Sequence, residues 1–379
     1  MSTRAHILEL IDRWIRFRCR LKGRDGEPRG LLLTRSGGLG DTILFSHLMP
    51  AYMRAAQGGE PVVVVTPKSS VKTTFLFPDG IEVIGVDYRR FQHDPGYRHE
   101  ISEDLYRRNF RLCISTDHLR HPHVDEAMLF AAQAPKTVAM EARSWPKHDH
   151  ALARNRRRFD TLFNSGPDRG SMVHRWADFA GSLIGEKPRA CAPVLPDDRL
   201  AAPAQLERPT IVLQPFSAVR AKQPSPDLFR VMIERAQPDY DVVITGAPND
   251  FDTNPEYKPL LEMPGVSFDS STFEGVVPLL RAAKFVVSVD TALMHLAVAV
   301  GAPTLCPASA AYVEELVPYP EDLTPDNVHF VYHPMPCEGC RGACGMPLQD
   351  GMYPCIARLD RTEVLDAFDA LLNAKDQRP

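Results

Sequence analysis

Apolar and polar positions follow two recurring patterns along this chain. One is a short apolar, mostly β-branched run, found at residues 30–34 (GLLLT), 61–66 (PVVVVT), 81–86, 112–115 and 137–140. The same pattern returns at 210–214, 241–245 (DVVIT) and 285–289 (FVVSV). Such runs between turn residues are what strands buried on both faces require. The other pattern repeats every three or four positions and predicts helices over 5–21, 42–56, 227–236, 276–283 and 292–300. Strands alternating with helices imply parallel sheets, so each half reads as a doubly wound α/β unit. The stretch 187–209 is rich in Pro, Ala and charge and marks the boundary. This gives an N-terminal helix and linker (1–29), a first Rossmann-like domain (30–190), a linker (191–209) and a second domain (210–379). Two such domains are expected to leave a cleft between the carboxyl ends of their sheets.

Length agrees with that division, since 379 residues exceed one typical core. A net charge of −4 gives no overall pull toward nucleic acid. No apolar run approaches the roughly 20 residues that span a bilayer. The stretch 7–19 is broken by Glu9, Asp12, Arg13, Arg16 and Arg18, so it is no signal-peptide core. A cytoplasmic protein is expected, and its eight cysteines are then mostly thiols or metal ligands.

The helix over 5–21 is amphipathic. Ile7, Leu8, Ile11, Trp14, Ile15 and Phe17 form its apolar side; Arg13, Arg16, Arg18, Arg20 and Lys22 form a basic one. Two readings fit: a helix packed on the first domain with a solvated basic edge, or one in peripheral contact with the anionic inner membrane surface.

Candidate chemistry gathers at two strand-to-helix turns. The first, Arg35-Ser36-Gly37-Gly38-Leu39-Gly40-Asp41, is neither the dinucleotide fingerprint nor a P-loop. Its glycines admit close approach of another molecule or domain. Asp41 is placed either to cap the helix or to act as a general base. The second turn follows the strand over 285–289. Asp290 and Thr291 offer capping oxygens, residues 292–300 form an apolar helix, and Gly301 and Pro303 end it. Free N–H groups at the front of that helix suit a phosphate or diphosphate. His295 is either a hydrogen-bonded core histidine or a phosphate or ribose contact. Downstream of the first sheet, Arg143, Lys147, Arg154, Arg156, Arg157, Arg158, Arg169 and Arg175 outnumber nearby acids. They form either a solvated face or a surface for an acidic acceptor.

Together, TRSGGLGD early in the chain, LQPFSAVRAKQPSP midway and VSVDTALMHLAVAVGAPT late resemble glycosyltransferase family 9, the ADP-heptose:lipopolysaccharide heptosyltransferases. The resemblance runs from about Gly30 to Leu372 and implies the GT-B fold of two facing Rossmann-like domains, with a final helix over 362–372 crossing back to the first. It implies an inverting transfer of a sugar, heptose from ADP-heptose in the first instance, to a hydroxyl of a glycan or lipopolysaccharide-core acceptor. Asp41 would be the catalytic base, with Gly37, Gly38 and Gly40 beside it. Lys222 would reach the donor phosphates, and Ser217, Gly246, Asp290, Thr291, Ala292, Leu293 and His295 would line the donor site. No cofactor is then required for catalysis, and no metal at the diphosphate. The chain departs from the family in Ala292 where a glycine is usual, in Gln-Pro-Phe-Ser before Lys222, and in lacking a Trp after it. These departures leave the sugar and nucleotide open, a UDP-sugar included, and the acceptor is open among an acidic glycan, a lipid-linked molecule and a protein.

One motif lies outside that scheme. Cys337, Cys340, Cys344 and Cys355 form C-x2-C-x3-C-x10-C in a loop (337–355) rich in Gly and Pro. Four thiolates suit a structural Zn or Fe site, while unligated thiols and disulfides are the other readings. Besides a transferase, the two-domain pattern admits a nucleotide-sugar epimerase or hydrolase, and a non-catalytic nucleotide-sugar-binding protein.

Overall fold

The structure, a computed structural model, describes residues 3–374 apart from Pro188 and Pro238. Residues 1–2 and 375–379 of the expected spans 1–29 and 210–379 lie outside the described residues. Two compact units are present. One runs to Asp168 and takes in Val173–Ala190; the other comprises Arg169–Met172 and the chain from Cys191 onward. The short stretch Arg169–Met172, expected in the first domain, thus belongs to the second unit, where Met172 donates its N–H to the Glu315 carbonyl.

The first unit holds a parallel sheet of β1 (Leu31–Thr34), β2 (Val62–Pro67), β3 (Ile81–Val86), β4 (Leu112–Ser115), β5 (Lys136–Met140) and β6 (Thr161–Phe163), in the order β3-β2-β1-β4-β5-β6. β1 pairs with β2 through Leu31↔Val62 and with β4 through Leu31↔Leu112. Leu31, Leu32 and Leu33 are fully buried, as a central strand covered on both faces must be.

The second unit repeats the topology with β7 (Thr210–Gln214), β8 (Asp241–Thr245), β9 (Val266–Asp269), β10 (Val286–Ser288), β11 (Thr304–Ala308) and β12 (Val328–Tyr332), in the order β12-β11-β10-β7-β8-β9. In both sheets the order reverses beside the first strand, between β1 and β4 and between β7 and β10. Open α/β sheets bind ligands at the carboxyl ends of the strands flanking that reversal.

Helices differ from expectation in instructive ways. The segment expected as one helix over 42–56 starts earlier and breaks into Leu39–Ser46 and Met49–Met53, with Pro50 in the first turn of the second. A proline is tolerated in a first turn and not in a helix interior, which accounts for the break. The Ala292–Ala299 helix ends as expected: Gly301 has φ +78°, and the Gly301 and Ala302 N–H groups donate to the Val298 and Ala297 carbonyls. The helix expected to cross back to the first domain, Arg361–Asn373, packs in the second unit, with Val364, Leu365, Phe368 and Leu371 in one core with Phe285 and Phe229. Among the described residues no helix is long and apolar enough to cross a membrane.

Candidate functional site

In the second unit the site is built where β7 and β10 end. Gln214, the last residue of β7, accepts hydrogen bonds at Oε1 from the Ser288 hydroxyl (2.9 Å) and the Thr291 hydroxyl (3.0 Å). Its amide donates to the Phe216 carbonyl at 2.5 Å. Thr291 is the N-cap of the Ala292–Ala299 helix by its extended backbone, but its side chain does not cap. With that hydroxyl turned to Gln214, the first N–H groups of the helix lack the side-chain acceptor that usually quenches them. Ala292 and Leu293 supply backbone there, Ala292 half-buried and Leu293 buried.

Lys222 and Asp290 meet at this helix start. The Lys222 ammonium lies 2.7 Å from Asp290 Oδ2 and donates to the Asp290 carbonyl at 2.9 Å. Both side chains are buried, 10% and 7% exposed. Ser309, after β11, donates to Asp290 Oδ2 at 3.0 Å. The ammonium also sits 5.1 Å from the Tyr312 ring centroid, a cation–π contact. The family resemblance implied a ligand phosphate for Lys222; the structure gives its charge a carboxylate partner and commits two of the three ammonium donors to Asp290.

His295 is buried, and its Nδ1 hydrogen-bonds the Tyr319 hydroxyl at 2.7 Å. Burial lowers its pKa to about 4, against a smaller pull upward from Asp290, so the ring is neutral at pH 7. This is the arrangement of a satisfied core histidine. Ser217 accepts at its hydroxyl from the Val219 N–H (3.2 Å) and so shapes the loop before Lys222. Gly246, just after β8, sits in a closed cradle: a Cβ there would lie 2.6 Å from Asp250 Oδ2 and 2.8 Å from the Phe216 ring.

The four-cysteine loop docks on this same end of the sheet. Tyr353 donates its N–H to the Ala221 carbonyl (2.8 Å), and Gly339 and Arg341 donate theirs to Ala310 and Ala311. Cys355 and Ile356 bury beside Ala310, Val313 and Met335. Cys337, Cys340, Cys344 and Cys355 line one small pocket with Tyr353 and Pro354. Burial raises the Cys355 thiol pKa, with the Cys340 and Cys344 thiols adding to it. The donor set suits a soft metal, yet among the described residues no three His, Cys, Asp or Glu side chains are arranged to hold one.

In the first unit the glycine-rich turn lies over a buried ion pair. Arg35 is 1% exposed and pairs with Asp117 after β4, whose other oxygen accepts from the Ser36 N–H at 2.7 Å. The guanidinium lies 4.6 Å from the Trp176 ring centroid and 5.1 Å from that of Phe45. Gly37 is required by this packing, since a Cβ would overlap Arg35 Nη2 and lie 2.6 Å from Asp41 Cβ. Gly38 is the N-cap of the Leu39–Ser46 helix, Gly40 lies in its first turn, and Asp41 is its third residue. The Asp41 carboxylate accepts from the Gly38 N–H at 2.9 Å, which is half of a capping box because glycine has no side chain to return the bond. Asp41 is therefore not the N-cap, and it remains partly exposed.

Part of the expected basic surface is spent locally. Arg143 pairs with Asp168 at 3.1 Å, Arg154 with Glu9 and Arg156 with Glu141. Sequence reasoning missed Gln214, Ser309, Tyr319 and Asp117 as members of these sites, and gave Arg35, in the first turn, no role. Only the buried Arg35, beside a glycine run at a strand end, carried a local signal.

Known proteins share this architecture. Residues 127–306 match the model of glycosyltransferase family 9 (heptosyltransferase). No curated protein sequence matches the chain significantly. Among solved structures, the glycosyl transferase family 9 protein from Veillonella parvula superposes with a TM-score of 0.67 at 15% identity, over 91% of this chain and 97% of that one. E. coli heptosyltransferase WaaC, solved with ADP-2-deoxy-2-fluoro heptose, gives 0.60 at 19% identity over 82% and 94%. E. coli ADP-heptose lps heptosyltransferase II gives 0.60 at 17% identity over 90% and 98%. The chain thus has two six-stranded parallel sheets of GT-B-like α/β architecture, shares its fold with heptosyltransferases, and resembles glycosyltransferase family 9 (heptosyltransferase) over the matched residues 127–306.

Proposed function

We propose that this protein is an inverting glycosyltransferase that moves a heptose from ADP-heptose to a hydroxyl of a glycan or lipopolysaccharide-core acceptor. One observation carries the reading: a helix N-terminus at the strand-order reversal, left without a side-chain cap, with the Lys222 ammonium beside it. The donor diphosphate would lie against the Thr291, Ala292 and Leu293 backbone, where the helix dipole and Lys222 oppose the charge that grows on the leaving ADP. Those two sources of positive charge would serve without a metal at the diphosphate. In fold-level relatives the donor chemistry is that of the E. coli WaaC complex with ADP-2-deoxy-2-fluoro heptose.

The acceptor oxygen would attack the anomeric carbon as its proton passes to the Asp41 carboxylate. The bond from that carbon to the diphosphate oxygen breaks, the electron pair leaves with ADP, and the anomeric configuration inverts. The reading requires Asp41 and the anomeric carbon to meet in the reacting complex. His295, neutral and bonded to Tyr319, would shape the donor pocket rather than exchange a proton.

The test is a mass-spectrometric donor screen of ADP-heptose, other ADP-sugars, UDP-sugars and GDP-sugars with wild type and Asp41→Ala. Cleavage of one donor by wild type alone supports the reading. Equal cleavage by both makes Asp41 structural, and binding without turnover makes the protein a nucleotide-sugar binder. For the cysteine pocket, we propose a structural zinc or iron site that closes when the metal draws the four sulfurs together. Metal analysis of protein purified without chelator, beside a Cys337→Ser/Cys340→Ser variant, tests it: equal metal content in both sinks the idea.

A further inference from the structure

The Thr3–Lys22 helix has a second apolar face that the fold does not use. Ile15 and Cys19 are buried against Tyr106, and Asp12 forms a two-point pair with the buried Arg98 at 2.6 and 2.7 Å. These contacts seat one side of the helix on the first unit. The other side shows Ile7, Leu10, Trp14, Phe17 and Leu21, which are 52, 63, 51, 60 and 72% exposed. At 3.6 residues per turn these five side chains fall within about 80° of the helix circumference, in a stripe roughly 20 Å long. Scattered exposed apolar residues need no explanation, but a continuous stripe of five large ones does.

The charges beside the stripe identify its partner. By the same angular count Arg13 and Arg20 flank one edge, and Arg18 and Lys22 the other. The helix's two acids are turned away: Asp12 to Arg98 and Glu9 to Arg154, with side chains 12 and 20% exposed. Arg13 and Arg18 stand in no ion pair among the described residues, and Arg18 lies over the Trp14 ring at 4.9 Å. The solvent face of the helix therefore carries aromatic and aliphatic side chains edged by cations and no carboxylate of its own, although Lys22 at one edge is paired with Glu103 at 2.6 Å. A second copy of this chain would bring the same arginines against these and meet repulsion. An anionic bilayer surface complements both features, since its acyl boundary takes the stripe and its headgroups take the arginines.

We infer that this helix docks the protein on an anionic lipid bilayer, lying in the plane of the interface with Leu10, Trp14 and Phe17 inserted below the headgroups. The seat on the first unit is preformed, so docking would need no refolding. The docking face shares no residue with the proposed donor site, so binding to the bilayer and sugar transfer can fail separately.

Co-sedimentation with vesicles of phosphatidylcholine alone, or mixed with phosphatidylglycerol, tests this. Wild type is expected to bind the mixed vesicles and to lose about tenfold or more of that affinity on neutral vesicles or in about 0.5 M salt. Leu10→Ser/Trp14→Ser/Phe17→Ser should lose about tenfold or more on the mixed vesicles with unchanged thermal melting, because all three side chains are already solvent-exposed. Arg13→Glu/Arg18→Glu should lose the preference for phosphatidylglycerol. Wild type that fails to sediment with mixed vesicles overturns the inference, as does a triple variant that binds as well as wild type. A wild-type dimer that the triple variant converts to monomer, with no vesicle binding by either, would assign the stripe to a second copy instead.

Discussion

The Lys222–Asp290 pair offers a test that separates a structural lysine from a donor-binding one. Lys222→Met keeps much of the side-chain volume and removes the charge. Asp290, 7% exposed, then keeps the Ser309 hydroxyl as hydrogen-bond donor and loses its cation. Removing one partner of a buried pair typically costs about 3–5 kcal/mol, because the remaining charge is left uncompensated. Replacing both partners by neutral groups is often close to neutral, so Lys222→Met/Asp290→Asn should recover most of that loss. Binding should follow a different course. A charge-assisted hydrogen bond to phosphate is worth about 1.5–3 kcal/mol, so ADP affinity should fall roughly ten- to a hundredfold in the single variant. It should stay low in the double variant, which lacks the ammonium as well. Urea unfolding followed by hydrogen exchange of the β10 amides reports the second unit on its own, and calorimetric titration with ADP reports the site. If the single variant loses under about 1 kcal/mol, the pair is not buried in solution. If the double variant regains full ADP affinity, Lys222 holds Asp290 in place and does nothing for the donor.

Asp41→Ala should lower sugar transfer by about 10²–10⁴ as loss of a general base does, while the missing bond to the Gly38 N–H costs only about 0.5–2 kcal/mol of stability; unchanged turnover would leave Asp41 a helix-end residue. Gly37→Ala should destabilise the first unit by about 1–3 kcal/mol, since the new methyl meets Arg35 and Asp41, whereas at Gly38 the nearest atom is Asp41 Oδ2 at 3.7 Å; equal melting of Gly37→Ala and Gly38→Ala would refute that packing. Stability should fall from pH 7 toward pH 4. Burial lowers the pKa of His118 and His121 to about 3 and of His295 to about 4, so the unfolded chain takes up protons below its ordinary histidine pKa while the fold resists them. The histidine contribution is thus complete above the unfolded pKa and lost as pH falls toward 4 and 3. Asp125, raised to about 6 by burial, acts in the opposite sense, its contribution being lost as pH rises through 6. Three histidines outweigh one carboxyl, so the urea midpoint should drop between pH 6.5 and 4.5, and a flat midpoint would contradict the neutral buried rings.

What was legible in the chain was local, and what was not depends on distant residues meeting. β2, β4, β7 and β8 are short runs whose burial and strand character sit in adjacent residues, so their presence could be read directly. The missed strands hide for specific reasons. β6 and β9 are sheet edges with little full burial, and β12 is an edge with exposed His329. β11 contains Pro307, which argues against a central strand; it is tolerated because pairing with β10 stops at Leu305. The glycine-rich turn was legible because steric need at Gly37 is met by a residue within two positions of it, Arg35. The partners that give each site its electrostatics lie far away in sequence. Arg35 meets Asp117 across 82 positions, Thr291 meets Gln214 across 77 and Lys222 meets the Asp290 backbone across 68. Each of these meetings joins the two strand ends that flank an order reversal, or the loops leaving them. The reversal is a property of the whole sheet, so no window of residues carries it. A motif at such a strand end therefore announces where a ligand can bind, while the charge that the ligand will find there is set by the neighbouring strand. Lys222 is the clearest instance: its position beside the helix was readable from a family motif, but its carboxylate partner followed only from β7 and β10 lying side by side.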